Sequence, residues 1–329
     1  MNILIIGGTG VISNRVRILI EQQENEVTVI NRGNKAASFS KRTRHIKADI
    51  NDLEQVKAAI GDNYFDVVID FLSFFPEDIY KRYEILKGKI GQFIFISSAT
   101  VYKVKSGIVT ENSPIGNEFS EYARNKIECE SLLFDKLNGS DFPVTIIRPS
   151  HTYDYTCVPL GIHGNYGSWQ NVKRIIEGRK VIIHDNGVGM WAMLRSEDFA
   201  LQLYGILGKG EALGEVFQIA SEESLSWERI YRIVADAVGM KLNACFISSD
   251  ILAKEGKEFD LLSKLYGDKT RSLVFRNDKI KKIIGEYNPI FSMEEGIRDS
   301  VRSVMFNEEL QRKDIPYDLW CDKMISLYG

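Results

Sequence analysis

Tyr122 and Lys126 are four residues apart, so on a helix they share a face and their heads can meet. A free phenol titrates near pKa ~10, too high for a base at neutral pH. A neighbouring ammonium stabilises the phenolate and lowers that value. Tyr-x-x-x-Lys is therefore a compact proton-transferring device. The surrounding stretch, EFSEYARNKIECESLLFDKLN over residues 118–138, reads as one amphipathic helix. Phe119, Tyr122, Ile127, Leu132, Leu133 and Leu137 fall near helical spacing. Taken alone the pair is a weak signal that reads first as two ordinary residues of a helix face, and the rest of the chain must decide.

A second chemical signal opens the chain. The apolar run NILII (residues 2–6) leads into Gly7-Gly8-Thr9-Gly10-Val11-Ile12-Ser13. A helix with Val11, Val16, Leu19 and Ile20 as buried candidates follows. Strand, glycine turn and helix in that order form a nucleotide-binding context. Glycines admit a pyrophosphate close to the backbone, and the helix N-terminus offers free N–H groups and a positive dipole end.

Bulk properties narrow the class. The 329 residues are 44% hydrophobic and 26% charged, with net charge −3. That is an ordinary globular composition with no basic excess for nucleic acid or a membrane surface. No apolar run is long enough to span a bilayer, and no secretory signal is visible. Cys129, Cys157, Cys245 and Cys321 are scattered, as are His45, His151, His163 and His184, so no metal-ligand spacing appears. These features predict a cytoplasmic protein without a structural metal.

The elements that must position the two signals alternate. EVTVI (residues 26–30) is a second strand ending at Asn31-Arg32-Gly33. An acid at its end would bind the adenosine ribose 2′-OH and select NAD. Asn31 stands there instead, and Arg32 beside it suits a 2′-phosphate. The expectation is NADP, with NAD the alternative; Arg15, Lys35 and Arg42 could add charge. A third strand (44–48) precedes Asp49-Ile50, and Asp52 caps a helix to residue 60. FDVVIDF (65–71) suits a buried parallel strand. Pro76 opens a helix through residue 86, QFIFIS (92–97) delivers Ser97 and Ser98, and FPVTIIR (142–148) follows the central helix. The alternation predicts an α/β, Rossmann-type doubly wound parallel sheet, with ligands beyond the C-terminal strand ends.

These residues resemble the extended short-chain dehydrogenase/reductases, the NAD(P)-dependent epimerase/dehydratase family with the UDP-galactose 4-epimerase pattern. The likeness consists of GGTGVIS, Asp49-Ile50, FISSATVY, Tyr122-x-x-x-Lys126, RPSHTY from Arg148 and DFA from Asp198. The resemblance implies that Ser98 hydrogen-bonds the reacting oxygen, Tyr122 exchanges its proton, and Lys126 lowers the tyrosine pKa and holds the nicotinamide ribose. It implies cofactor contacts at Gly7, Thr9, Gly10, Val11, Ile12, Asn31, Arg32, Asp49, Ile50, Phe71, Leu72, Pro149 and His151. Substrate contacts would come from Ser98, Thr100, His151 and Trp191. Some features depart from the family. Ser13 replaces the third glycine. The 4,6-dehydratases carry an acid where Thr100 stands, so water elimination is not expected. The loop at Phe71–Phe75 is bulky. The arginine that holds a substrate diphosphate in the epimerases falls near Trp191, with Arg195, Arg271 and Arg276 as substitutes.

Residues 1–160 with return segments from 190–222 read as the dinucleotide-binding domain, and 161–329 as a smaller, mixed substrate domain. Residues 154–169 read as a wall of the substrate cleft, with Tyr166 and Trp169 available for stacking. Helices are expected at 170–177, at 227–238, and from a Ser196 cap to 207. Residues 250–270 read as surface cover, and 102–119 as a segment over the cofactor edge. The leading expectation is a nucleotide-sugar epimerase working through a transient ketone. The alternatives are an NADPH-dependent keto-sugar or carbonyl reductase, and an RNA-associated protein on the same scaffold. The family also implies a homodimer.

Overall fold

A computed structural model describes residues 1–139 and 141–329. Five strands open the chain: β1 (Asn2–Ile6), β2 (Glu26–Asn31), β3 (Thr43–Lys47), β4 (Val67–Asp70) and β5 (Phe93–Ile96). With Val144–Pro149 and Glu215–Ile219 they form a seven-stranded sheet whose neighbouring strands are all parallel. The spatial order is 215–219, 144–149, β5, β4, β1, β2, β3. The chain moves outward from β1 to β3, then restarts at β4 on the other side of β1. This reversal leaves a crevice at the C-terminal strand ends, the place where such sheets bind ligands.

β4 and β5, VVID and FIFI, are buried throughout because helices cover both faces of the sheet. Leu4, Ile6, Val68, Phe93 and Phe95 face one core. There they meet α2 (Leu53–Ile60), α3 (Pro76–Leu86) and α4 (Glu121–Leu132). Ile3, Ile5, Val29, Ile69 and Ile94 face the other, with α1 (Val11–Gln22) and the helix Ser196–Tyr204. Two further cores lie in the C-terminal half, one around Trp191, Trp227 and Ile297, the other around Phe259, Tyr317 and Trp320.

Several boundaries differ from the sequence expectation. The central helix begins at Glu121, because Ser120 Oγ accepts from Ala123 N–H and caps it. It ends in a wider turn, Leu133–Leu137. Of the apolar stripe, Leu132, Leu133 and Leu137 are buried while Phe119 and Tyr122 are exposed, and in the first turns the buried places are taken by Ala123, Lys126, Cys129 and Glu130. On α1, Val11 is exposed and Arg17 takes a buried place. Ser196 is not a cap; it is the first helical residue and its hydroxyl donates to Glu197. Residues 154–169 pack inward through Val158, Leu160 and Ile162 and form no wall of the main cavity. Trp169 packs on a core, and Tyr166 lies under the Arg312 guanidinium. Residues 250–270 are not mere cover either: Leu252, Phe259, Leu261 and Leu265 are buried, and Asp268 reaches the cavity. The strand Ser106–Val109 within 102–119 pairs with Ser272–Phe275 from the far end of the chain.

Candidate active site

The glycine loop leaves β1 with Gly7 at φ 116° and Gly8 at φ 87°, conformations that side-chain-bearing residues rarely adopt. A Cβ on Gly7 would lie 3.3 Å from the Cβ of Phe71. The loop's carbonyls are anchored from beneath. Asn31 Nδ2 donates to Gly7 O (2.9 Å) and Arg17 Nε donates to Gly8 O (3.0 Å). Ser13 Oγ accepts from Gly10 N–H at 2.8 Å, so the third-glycine position serves as a brace at the start of α1. The first-turn N–H groups of α1 have no intrahelical partner by construction.

This helix start opens onto a cavity of about 380 Å³. Gly10, Val11, Ile12 and Phe71 line one side; Ser98, Thr100, Tyr122 and Lys126 line a second; Pro149, His151 and Trp191 close a third. Ser13 of the glycine motif lines it too, and so do Phe74, Asp268, Leu273 and Phe275, which were not expected in the site. Phe74 had a signal in the bulky loop. Asp268, Leu273 and Phe275 had none, because the fold brings them from a distant segment. Gly7, Thr9, Asn31, Arg32, Asp49, Ile50 and Leu72 do not line this cavity. Gly7 and Leu72 pack against each other behind the loop. Asp49 Oδ1 accepts from Asn51 N–H, and the buried Ile50 presents its carbonyl to Arg82. Arg32 is exposed at the end of β2 and has no ion pair among the described residues.

The reactive wall has a definite polarity. Ser98 Oγ accepts from the Thr100 hydroxyl (2.9 Å) and from Thr100 N–H (3.2 Å). Its own proton is thereby left to donate into the cavity. Tyr122 is 42% exposed along the helix. Its hydroxyl end is nevertheless enclosed, and burial raises its pKa while Ser98 works the other way. The expected meeting of heads does not occur. The Lys126 ammonium lies 5.8 Å from the Tyr122 ring centroid and donates to Ser73 O (2.7 Å) and Ile96 O (2.8 Å). Burial lowers Lys126 to about 8, chiefly offset by Asp70. His151 is held neutral, burial taking it to about 3, and its ring is tilted 6.2 Å from that of Trp191. Trp191 stacks on Trp227 at 5.2 Å.

Beneath the wall, Arg148 grips Glu130 through Nη2 at 2.6 Å, and Ser97 Oγ donates to the same carboxylate at 2.5 Å. The substitutes proposed for a diphosphate-binding arginine are engaged elsewhere. Arg195 is buried against Ser300, Glu197 and Asp299. Arg276 pairs with Asp278, and Arg271 donates to Tyr102 O. Arg15 is spent on Glu197 and the Tyr155 ring, so it adds nothing near Arg32.

Positive-φ glycines, a helix N-terminus at the topological switch and a hydroxyl wall beside it fit a nicotinamide dinucleotide. The buried Ser150 Oγ and Trp191 Nε1, on residues that line the cavity, have no partner among the described residues. Residues 3–220 match the model described as the NAD dependent epimerase/dehydratase family. The chain belongs to that family, and it is an enzyme of the extended short-chain dehydrogenase/reductase type.

The chain is 28% identical to the chloroplast stem-loop binding protein of 41 kDa b from Arabidopsis thaliana, over 98% of this chain and 83% of that protein. It is 19% identical to the 2'-dehydrokanamycin reductase of Streptomyces kanamyceticus, over 80% of this chain and 74% of the reductase. Among solved structures, UDP-glucuronic acid 4-epimerase from Bacillus cereus, in complex with UDP-glucuronic acid and NAD, superposes with a TM-score of 0.71. That match has 18% identity and covers 93% of this chain and 99% of the epimerase.

Proposed function

We propose that the protein is an epimerase-type oxidoreductase. In this reading it oxidises one hydroxyl-bearing carbon of a sugar to a ketone and reduces it again from the opposite face. The observation that carries this reading is the shared wall of Ser98, Tyr122 and Lys126 with the non-ionising Thr100 between them. Such a wall moves a proton at one oxygen, and the position two beyond Ser98 is Thr100 rather than an acid; the acid that does line the cavity, Asp268, comes from a distant segment. A nucleotide sugar is the proposed substrate class, by analogy with the epimerase neighbour.

A bound NAD(P) supplies the hydride acceptor and, in return, the hydride donor. The glycine loop from Gly7 to Ile12 holds the pyrophosphate. Arg32, beside the Asn31 that braces the loop, would meet the adenosine ribose, with Asp49, Ile50, Phe71 and Leu72 along the same edge. Pro149 and His151 flank the nicotinamide side. Ser98 donates its free proton to the substrate oxygen, and Tyr122 exchanges a proton with that oxygen as general acid and base. Lys126 keeps two N–H groups on carbonyls and has its third for the ribose. Thr100, His151 and Trp191 bound the sugar, and His151 stays neutral throughout.

Net reduction of a keto-sugar is the second reading, and two observations favour it. Arg32 is free to take an NADPH 2′-phosphate, and burial keeps the Tyr122 phenol protonated, the form that donates to a carbonyl oxygen. The relative named as a dehydrokanamycin reductase points the same way. The stem-loop binding relative offers RNA as a third ligand. The deciding experiment identifies the nucleotide that copurifies and its oxidation state, followed by assays with UDP-sugars and with keto-sugars plus NADPH. Retained NAD(H) with interconversion of UDP-sugars supports the epimerase. Stoichiometric NADPH consumption supports the reductase. RNA binding with no nicotinamide nucleotide bound or turned over would overturn both.

A further inference from the structure

Behind Phe71 and Lys126, which line the cavity, lies a buried charge system that the proposed chemistry does not use. Asp70, the last residue of β4, and Arg82, on α3, are both 0% exposed, with Arg82 Nε 3.2 Å from Asp70 Oδ2. Asp70 Oδ1 accepts from the N–H groups of Leu72 (2.8 Å) and Ser73 (3.1 Å), and Oδ2 accepts from Ser73 Oγ (2.5 Å). Arg82 also donates to Ile50 O at 3.1 Å. A carboxylate so placed folds residues 71–73 into a tight turn. That turn directs Ser73 O to Lys126 Nζ at 2.7 Å.

Lys126 has three N–H groups. Ser73 O and Ile96 O take two, and the Phe74 and Phe95 rings flank the ammonium at 4.7 and 4.5 Å. Lys126 also lines the cavity. Hydrophobic residues of similar volume would stabilise a fold as well as a buried ion pair does, or better. Stability alone therefore does not account for Asp70 and Arg82.

We propose that Asp70, held by Arg82, is a positioning residue for the site: it shapes the 71–73 turn that aims Lys126 and sustains the lysine's positive charge. This rests on the reading of Lys126 as part of the reactive wall. The electrostatics agree with the geometry. Burial pulls Lys126 down to about 8, and Asp70 is the strongest influence opposing it. Cys129 and Glu130 on α4 and Asp78 on α3 act in the same sense with less effect. Arg82 is the cation nearby, and its charge is turned onto Asp70. Tyr122 faces the ammonium only with its ring.

The test follows Lys126 itself. In protein labelled with 13C-lysine and free of nucleotide, the Lys126 signal, assigned with Lys126→Met, is titrated by NMR in wild type, Asp70→Asn and Asp70→Asn/Arg82→Met. The double variant removes both charges, so no unpaired arginine is left buried should the single variant not fold. The expected result is a Lys126 midpoint lowered by about one pH unit, a tenfold change in the proton equilibrium. The basic limb of kcat/KM should move down with it. An unchanged midpoint in the folded double variant would overturn the proposal. A shifted midpoint with undiminished turnover in Lys126→Met would support this inference and overturn the role given to Lys126.

Discussion

The side-chain amide of Asn31 donates to the carbonyl of Gly7 at 2.9 Å, so the last residue of β2 holds down the first residue of the glycine loop. Its oxygen accepts from Gly33 N–H at 2.8 Å and meets His45 Nε2 at 3.1 Å. Asn31 is thus committed to shaping the loop. An aspartate there would lose the donor and set a charge against a carbonyl oxygen. We expect Asn31→Asp to weaken NAD and NADP alike, by tenfold or more, in a titration of the apoprotein. A gain of NAD affinity would show that the bond to Gly7 is dispensable.

Discrimination between the two cofactors then falls to Arg32. Its guanidinium can form charge-assisted bonds to a 2′-phosphate. Full engagement corresponds to on the order of tenfold preference for NADP, about 1.4 kcal/mol. Exposure reduces that, since surface ion pairs are commonly worth under ~1 kcal/mol. Titration of wild type and Arg32→Ala with both cofactors should show the preference and its loss. Equal affinities in wild type would make Arg32 an ordinary turn residue.

Tyr122→Phe should abolish turnover while leaving cofactor affinity and melting temperature near wild type. Only the transferable proton is lost, and the ring keeps its tilted contact with Phe74 at 6.3 Å. Activity within tenfold of wild type would remove the phenol from the mechanism.

Acid sensitivity should begin in the histidine range. Burial lowers His151 to about 3 and His163 and His184 to about 4. The unfolded chain binds these protons below about 6.5 while the folded chain refuses them. Stability is therefore full above 6.5 and falls as pH drops toward 4. For His184, 3% exposed, the depression corresponds to on the order of 3 kcal/mol. Scanning calorimetry between pH 6.5 and 5 should show a falling Tm, less so in His184→Asn. A flat Tm in wild type would contradict the buried neutral histidines.

A homodimer is expected through α3 and α4, whose outward faces carry the exposed Tyr80 and the half-buried Ile127. Isologous twofold pairing is the commonest oligomeric arrangement. Light scattering at micromolar concentration should give twice the chain mass, and Tyr80→Glu should shift it toward monomer. A wild-type monomer would overturn this.

The centre of the sheet was legible because β4 and β5 are buried on both faces and belong to unbroken apolar runs. The helix opened by Pro76 runs to Leu86, as its sequence implies. The glycine loop and the Tyr122/Lys126 pair were legible because their chemistry needs fixed local spacing. What stayed hidden depends on contacts between distant segments. Asp268 and Phe275 reach the cavity only because Ser272–Phe275 pairs with Ser106–Val109. The heads of Lys126 and Tyr122 were expected to meet, but the ammonium donates to Ser73 O after β4 and to Ile96 O at the end of β5. The central helix was drawn too long because Phe119 fits the apolar spacing, while Ser120 caps the helix after it.

The outermost strand, Glu215–Ile219, lies against Val144–Pro149. A chain emerging from the ribosome therefore completes six strands and then waits while the intervening segment is synthesised. During that interval the edge of Val144–Pro149 is unpaired, an open template for another nascent chain. Vectorial synthesis thus exposes a buried inner strand that Glu215–Ile219 covers in the finished molecule, and truncations ending before residue 215 should aggregate during expression.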